Sequence, residues 1–224
     1  MAKSKITLSP DIYFENVPKT LNMNIRSELY STNEFTFAVA VILSAQATDK
    51  KVNEVTPYLF KIAPTPDKML ELGIDKLKEQ IKVISFFNNK ANSIIKLSAQ
   101  LRDKNSNNVN YKFPQQYHER GELMKLAGVG QKTANVIMNV LWNAPNIGVD
   151  THVYRLAHRF NWCQESENTP EKVEEKLLKI IPKKYHAITN HVMVLHGRYT
   201  CKALRPDCAN CPVNKWCNAP DKKA

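Results

Sequence analysis

The residue types that could do chemistry in this chain are one lysine, one aspartate and a knot of cysteines. Lys132 follows the turn Leu126-Ala127-Gly128-Val129-Gly130, and helical spacing on either side puts it in the first turn of a helix. Most lysines of a basic chain are solvated charges or phosphate contacts. This one sits at the positive end of a helix, which disfavours an ammonium and so suits an amine nucleophile. Asp150 opens the stretch Val149-Asp150-Thr151-His152-Val153, ahead of a helix with Val153, Leu156, Ala157 and Phe160 on one face. Capping alone accounts for an aspartate there. A capping carboxylate can also lower the barrier to a positive charge developing beside it. Cys201, Cys208, Cys211 and Cys217 follow C-x6-C-x2-C-x5-C, and Cys163 stands apart as a small core residue. Four thiolates in so short a segment, in a chain expected to be cytoplasmic, point to metal rather than disulfides. Zinc is the simpler occupant. Only Cys208 and Cys211 have the short knuckle spacing of zinc loops, however, and the wider gaps favour an iron–sulfur cluster.

The elements that must position these residues read as helices. Val52, Val55, Leu59 and Ile62 step at helical spacing, as do Ile74, Leu77, Ile81 and Ile84, and again Ala134, Ile137, Met138 and Leu141; no run of period two appears. Ser9-Pro10, Thr65-Pro66-Asp67 and Thr169-Pro170-Glu171 each set a hydroxyl at the cap and a proline in the first turn. The expectation is an all-α chain with a kink or break at Pro57 and a loop over 103–110. The six glycines are too few for hairpin-rich β architecture, and the longest apolar run, Phe37 to Leu43, is far short of a membrane span. No secretory or transit peptide is legible at the N-terminus, which makes the cytoplasm the expected compartment.

The chain carries 32 Lys+Arg against 21 Asp+Glu, a formal charge of +11, which suits a polyanionic partner without identifying it. The turn at 126–130 adds a detail. Glycines at 128 and 130 permit a sharp turn and close approach, and unpaired amides at the start of the next helix make a phosphate seat that carries no sequence information.

Three ordered motifs, Leu126 to Val136 (LAGVGQKTANV), Val149 to Val153 (VDTHV) and Leu195 to Cys201 (LHGRYTC) with the cysteine loop after it, resemble the endonuclease III family, the bifunctional DNA glycosylases and abasic-site lyases of the helix-hairpin-helix superfamily. The likeness runs from about Phe35 to Cys217 and takes in Leu43 to Asp49 (LSAQATD) and Glu174 to Leu178. It implies two helical lobes with the hairpin at their junction: a helical domain over 27–144, and a second formed by 1–26 with 145–224 that holds a cluster loop at 201–217. It also implies that Lys132 attacks the anomeric carbon of a damaged nucleotide, that Asp150 assists, and that the four cysteines hold a structural 4Fe-4S cluster. Gln46 would fill the gap left by the extruded nucleotide, Phe86 would stand where the family has a leucine wedge, and Lys202 and Arg205 would lie near phosphates, with Gly128 and Gly130 in the hairpin. The partner would be double-stranded DNA carrying a damaged pyrimidine or an abasic site, bound by a monomer with no membrane association. His152 would orient a phosphate or Asp150, or would be a plain helix-surface residue.

Three positions depart from the family pattern. Ala127 replaces a proline before the hairpin glycine, Gln131 replaces an arginine before the lysine, and Phe86 replaces the leucine. The first would loosen the hairpin and the second removes a charge beside Lys132. Two other readings compete. An adenine-mismatch glycosylase would lack the lysine and carry a further recognition domain, and a helix-hairpin-helix module with a structural metal knot would bind DNA without cutting it.

Overall fold

The structure, a computed structural model, describes residues 8–21, 27–102 and 108–222. All regular structure among them is helical, with no strand. The described residues divide into two compact units, one within Ser27–Trp142 and the other drawn from Met1–Arg26 and Asn143–Ala224.

The chain enters the second of these through α1 (Pro10–Asn16), which Ser9 caps by accepting from the Ile12 amide at 3.3 Å. The unit within Ser27–Trp142 then forms around α2 (Glu34–Ser44), whose residues Phe35 to Leu43 are all buried. A helix apolar on every side has to be central, and that explains the apolar run that was too short for a membrane. Its start is fixed by a capping box: Asn33 accepts from the Thr36 amide at 2.8 Å while the Thr36 hydroxyl accepts from the Asn33 amide at 2.9 Å. The Asn33 side-chain amide also donates to the carbonyls of Pro64 and Val109, at 2.8 Å each.

Around α2 lie α3 (Asp49–Ile62), α4 (Pro66–Leu72), α5 (Ile74–Ile81), α6 (Phe87–Gln100), the single turn α7 (Arg120–Leu123) and α8 (Gln131–Trp142). The expected break at Pro57 is absent, since α3 runs through it unbroken. Pro57 lies on the exposed face, where the carbonyl that loses its helical donor can be hydrated, while Val52, Leu59 and Phe60 anchor the other face. Ile62, placed by spacing on the buried face, is 37 % exposed at the end of the helix. Of the expected loop, residues 103–107 lie outside the described residues; a 3-10 turn follows at Gln115–His118.

The chain then returns to the other unit with α9 (Thr151–Arg159), α10 (Pro170–Ile180) and α11 (His186–Tyr199). Its core joins Leu8, Tyr13, Phe14 and Val17 from the N-terminal segment to Val153, Leu156, Phe160, Trp162, Val192 and Met193. The Trp162 indole closes this pairing by donating to the Leu8 carbonyl at 2.8 Å. No helix of the described residues is long and apolar enough to cross a membrane.

Candidate nucleic-acid interface and metal centre

Lys132 lies in the first turn of α8 with an exposed side chain. The turn before it depends on one of its two glycines. Gly128 has φ +81°, and a Cβ there would stand 3.0 Å from Ser93 Cβ and 3.1 Å from Ile42 Cδ1, so both backbone and packing exclude a side chain. Gly130 has nothing within 4 Å of a built Cβ and no positive φ. Its missing side chain serves nothing inside the unit and leaves the backbone open to close approach.

Ala127, expected to loosen the hairpin, carries a hydrogen bond of its own. Its N–H, which a proline would lack, donates to Gln100 Oε1 at 2.8 Å, and Gln100 Nε2 donates to the Lys125 carbonyl at 3.1 Å. The side chain from the end of α6 therefore holds the turn from both sides.

Gln46 and Phe86 share an unusual backbone. Both are non-glycine residues in the left-handed region, at φ 53° and 58°, and both are exposed, Phe86 at 62 %. A side chain raised from a tight turn without cover suits insertion into another surface. Behind Gln46, the buried Lys90 ammonium donates to the Leu43 carbonyl at 2.8 Å and so closes the C-terminal end of α2. Burial pulls the Lys90 pKa below its ordinary value.

In the other unit, Asp150 is the N-cap of α9, and its Oδ1 accepts from the amides of His152 and Val153 at 2.9 Å each. The cap does not use Oδ2. His152 is held by a residue that sequence reasoning missed: Arg155 Nη2 lies 3.3 Å from His152 Nδ1 and donates to the carbonyls of Gly197 at 2.8 Å and Cys201 at 3.2 Å. A guanidinium only donates, so Nδ1 accepts and the ring proton sits on Nε2. Gly197 permits this crossing of α9 and α11, because a Cβ there would meet His152 Cβ at 3.0 Å and Arg155 Nη2 at 3.1 Å.

The four cysteines of the loop are free and line one pocket together with Arg159, Phe160, Ala219, Asp221 and Lys222. No group of three or more His, Cys, Asp or Glu among the described residues is gathered closely enough to hold a single metal ion. Arg159 organises the loop: it donates to Cys201 Sγ at 3.3 Å, to the Lys202 carbonyl at 2.9 Å and to the Ala203 carbonyl at 3.2 Å, and it pairs with Asp221. His196 Nε2 lies 3.5 Å from Cys211 Sγ, and Tyr13 Oη lies 3.0 Å from His196 Nδ1. Burial pushes the His196 pKa down to about 4. Burial, with the charges of Cys201 and Cys211, holds the Tyr13 phenol well above its ordinary value. Four sulfurs on the walls of one pocket, met by N–H donors, fit a thiolate-ligated centre. Lys202 and Arg205 are exposed in the same loop.

Arg155, Arg159, His196 and Tyr13 are the neighbours of the candidate site residues that spacing did not reveal. The signal available was the i, i+4 pair of arginines on the face of α9 next to its apolar stripe.

A helical fold built around a glycine hairpin, followed by a lysine-bearing helix, defines a class. The HhH-GPD superfamily of base excision DNA repair proteins matches residues 39–183 of this chain. Endonuclease III of Rickettsia conorii is 47 % identical over 197 residues, covering 88 % of this chain and 90 % of the relative. That of Escherichia coli K12 is 41 % identical over 201 residues, covering 90 % and 91 %. A solved structure described as a trapped endonuclease III–DNA covalent intermediate superposes with TM-score 0.79 at 40 % identity, over 95 % of this chain and 97 % of that one. A thermostable thymine-DNA glycosylase at 18 % identity, TM-score 0.76, shares the fold. The chain belongs to the endonuclease III family of the HhH-GPD superfamily.

Proposed function

We propose that this chain removes oxidised pyrimidines from double-stranded DNA and cuts the strand at the abasic site, with Lys132 as the nucleophile, acting as a monomer in the cytoplasm. The observation that carries the reading is an exposed lysine in the first turn of the helix that follows the Gly128 hairpin. That a relative 40 % identical was captured covalently on DNA supports it.

A base inside a duplex is out of reach, so the damaged nucleotide is extruded, which costs least where damage has weakened the stack. The neutral Lys132 amine bonds to C1′ as the N-glycosidic bond breaks, and the base leaves with the bonding pair and takes up a proton. The sugar ring opens to an iminium linking Nζ and C1′. Loss of a proton from C2′ then expels the 3′ phosphate, and water releases the lysine. Asp150 stabilises the positive sugar and accepts the lysine proton. Gln46 fills the vacated place in the stack and Phe86 wedges the opposite strand. Gly130 with the amides opening α8, the His152 Nε2–H, Lys202 and Arg205 meet phosphates.

Cys201, Cys208, Cys211 and Cys217 would hold a 4Fe-4S cluster. When bound, it cross-links a loop that has no core of its own. The shared pocket supports a cluster over zinc, because one zinc ion requires all four sulfurs about 2.3 Å from a single point.

Borohydride trapping on a panel of lesions tests mechanism and substrate together. Wild type should form a covalent adduct with abasic and oxidised-pyrimidine DNA, and Lys132→Ala should form none. An adduct that survives in Lys132→Ala removes the nucleophile assignment. DNA binding without any adduct in wild type favours the binding module, and excision only of adenine from mismatches favours the other glycosylase.

A further inference from the structure

We propose that Tyr13 and His196 form a hydrogen-bond relay that delivers an N–H to the Cys211 sulfur and thereby raises the reduction potential of the cluster; this rests on the reading of the four cysteines as its ligands. His196 is the positioning residue and Tyr13 sets its orientation.

Counting protons fixes the direction of the relay. His196 Nε2 lies 3.5 Å from Cys211 Sγ, within the range of a bond to sulfur, and Nδ1 lies 3.0 Å from Tyr13 Oη. A ligating thiolate carries no hydrogen, so the nitrogen must be the donor in the first contact. A neutral imidazole has one N–H. With it committed to sulfur, Nδ1 is bare and accepts from the tyrosine hydroxyl. The opposite tautomer would set a nitrogen lone pair against a sulfur lone pair. A doubly protonated ring would still donate to sulfur from Nε2, with Tyr13 turned to accept.

The surroundings hold the ring in that place. His196 is 1 % exposed and Tyr13 0 %. The Tyr13 and Phe160 rings lie 5.5 and 6.1 Å from the imidazole, and the His196 carbonyl accepts from the Cys201 amide at 2.7 Å. Both imidazole nitrogens are satisfied inside an otherwise apolar core. A phenylalanine would fill the same space but leave the buried Tyr13 hydroxyl unpaired, so what the histidine adds is the donor at sulfur together with an acceptor for that hydroxyl. An N–H to a ligating sulfur draws electron density from it and favours the more reduced state of the cluster, which raises the potential of a one-electron couple. The same bond orients Cys211, as the Arg159 guanidinium, which donates to Cys201, orients that sulfur.

The test uses the full-length holoprotein with iron and acid-labile sulfide assayed first, then the midpoint potential by film voltammetry and the Fe–S(Cys) stretch by resonance Raman in H2O and D2O. His196→Phe keeps the ring and removes the donor; it should lower the midpoint by an amount equal to roughly a tenfold change in the ratio of reduced to oxidised cluster, ~59 mV for one electron. It should also lose the deuterium shift of the stretch. His196→Gln, with a side-chain N–H near the old Nε2, should recover most of both. Tyr13→Phe should move the potential the same way by a smaller amount. Iron-loaded His196→Phe with the wild-type potential and an unchanged deuterium shift overturns the relay. Should His196→Phe fail to load, Tyr13→Phe decides, and a wild-type potential there overturns it equally. Wild type that carries zinc or no iron removes the cluster reading itself, and the metal assay tells that failure apart from the other.

Discussion

Asp150 commits Oδ1 to the amides of His152 and Val153, so two substitutions separate its roles. Asp150→Asn keeps an oxygen for the cap and should fold as wild type, yet lose roughly 10²-fold or more in single-turnover base excision. Asp150→Ala should in addition lower stability by about 1 kcal/mol in denaturant unfolding. Near-normal excision by the asparagine variant would leave the cap as the whole role. Cys163 makes a different prediction. Burial pushes its thiol from 9.0 up to about 11, so over that interval the unfolded chain releases a proton that the folded chain retains. Its contribution is therefore complete below pH 9 and is lost as pH rises toward 11. Cys163→Ala should flatten stability against pH across that window, and an unchanged slope would show that the thiol does not titrate there. At this scale the sequence identified the residues that announce themselves by neighbours in the chain: the cap before an apolar stripe, the lysine after a glycine turn, the cysteine spacing. It did not identify Arg155, Arg159 or His196, most of whose partners lie between 15 and 183 positions away and whose burial leaves no trace in local spacing.

The hairpin shows what an element demands. Gly128→Ala should cost at least ~1–2 kcal/mol, since an L-residue must hold a left-handed backbone and its Cβ must displace Ile42 and Ser93. Gly130→Ala meets no atom of the protein, so it should unfold at the wild-type denaturant midpoint while weakening DNA binding. Equal losses of stability in the two variants would refute the division of labour. Helix starts were legible because a hydroxyl cap followed by proline is a local signal, and Thr65 and Thr169 accept from Lys68 and Lys172 at 3.3 and 3.4 Å as such caps do. The continuity of α3 was not, because whether a proline breaks a helix depends on which face it occupies. That face is set by packing against α2, not by the sequence of α3 alone.

For the whole molecule, an excess of eleven positive charges makes binding to DNA a matter of counterion release. Affinity should fall linearly on a double-logarithmic plot against salt, and each of Lys202→Ala and Arg205→Ala should reduce that slope by about 1. A slope unchanged in both variants would take the cluster loop off the phosphates. Periodicity described helices well but carried no sign that the segment before residue 27 packs with residues after 142. That pairing rests on a shared core and on long-range contacts such as the Trp162 indole on the Leu8 carbonyl and the Tyr13 ring beside Phe160 and Trp162, which only a folded chain displays.

The clamp that Gln100 places on the hairpin ties two distant positions into one hereditary unit. A proline at 127 would leave the glutamine oxygen to water, and loss of the glutamine would leave the alanine amide to water, so either change gives up the clamp. Position 100 and position 127 should accordingly drift together, and a chimera that exchanges only one of them with a proline-bearing relative should be less stable than either parent.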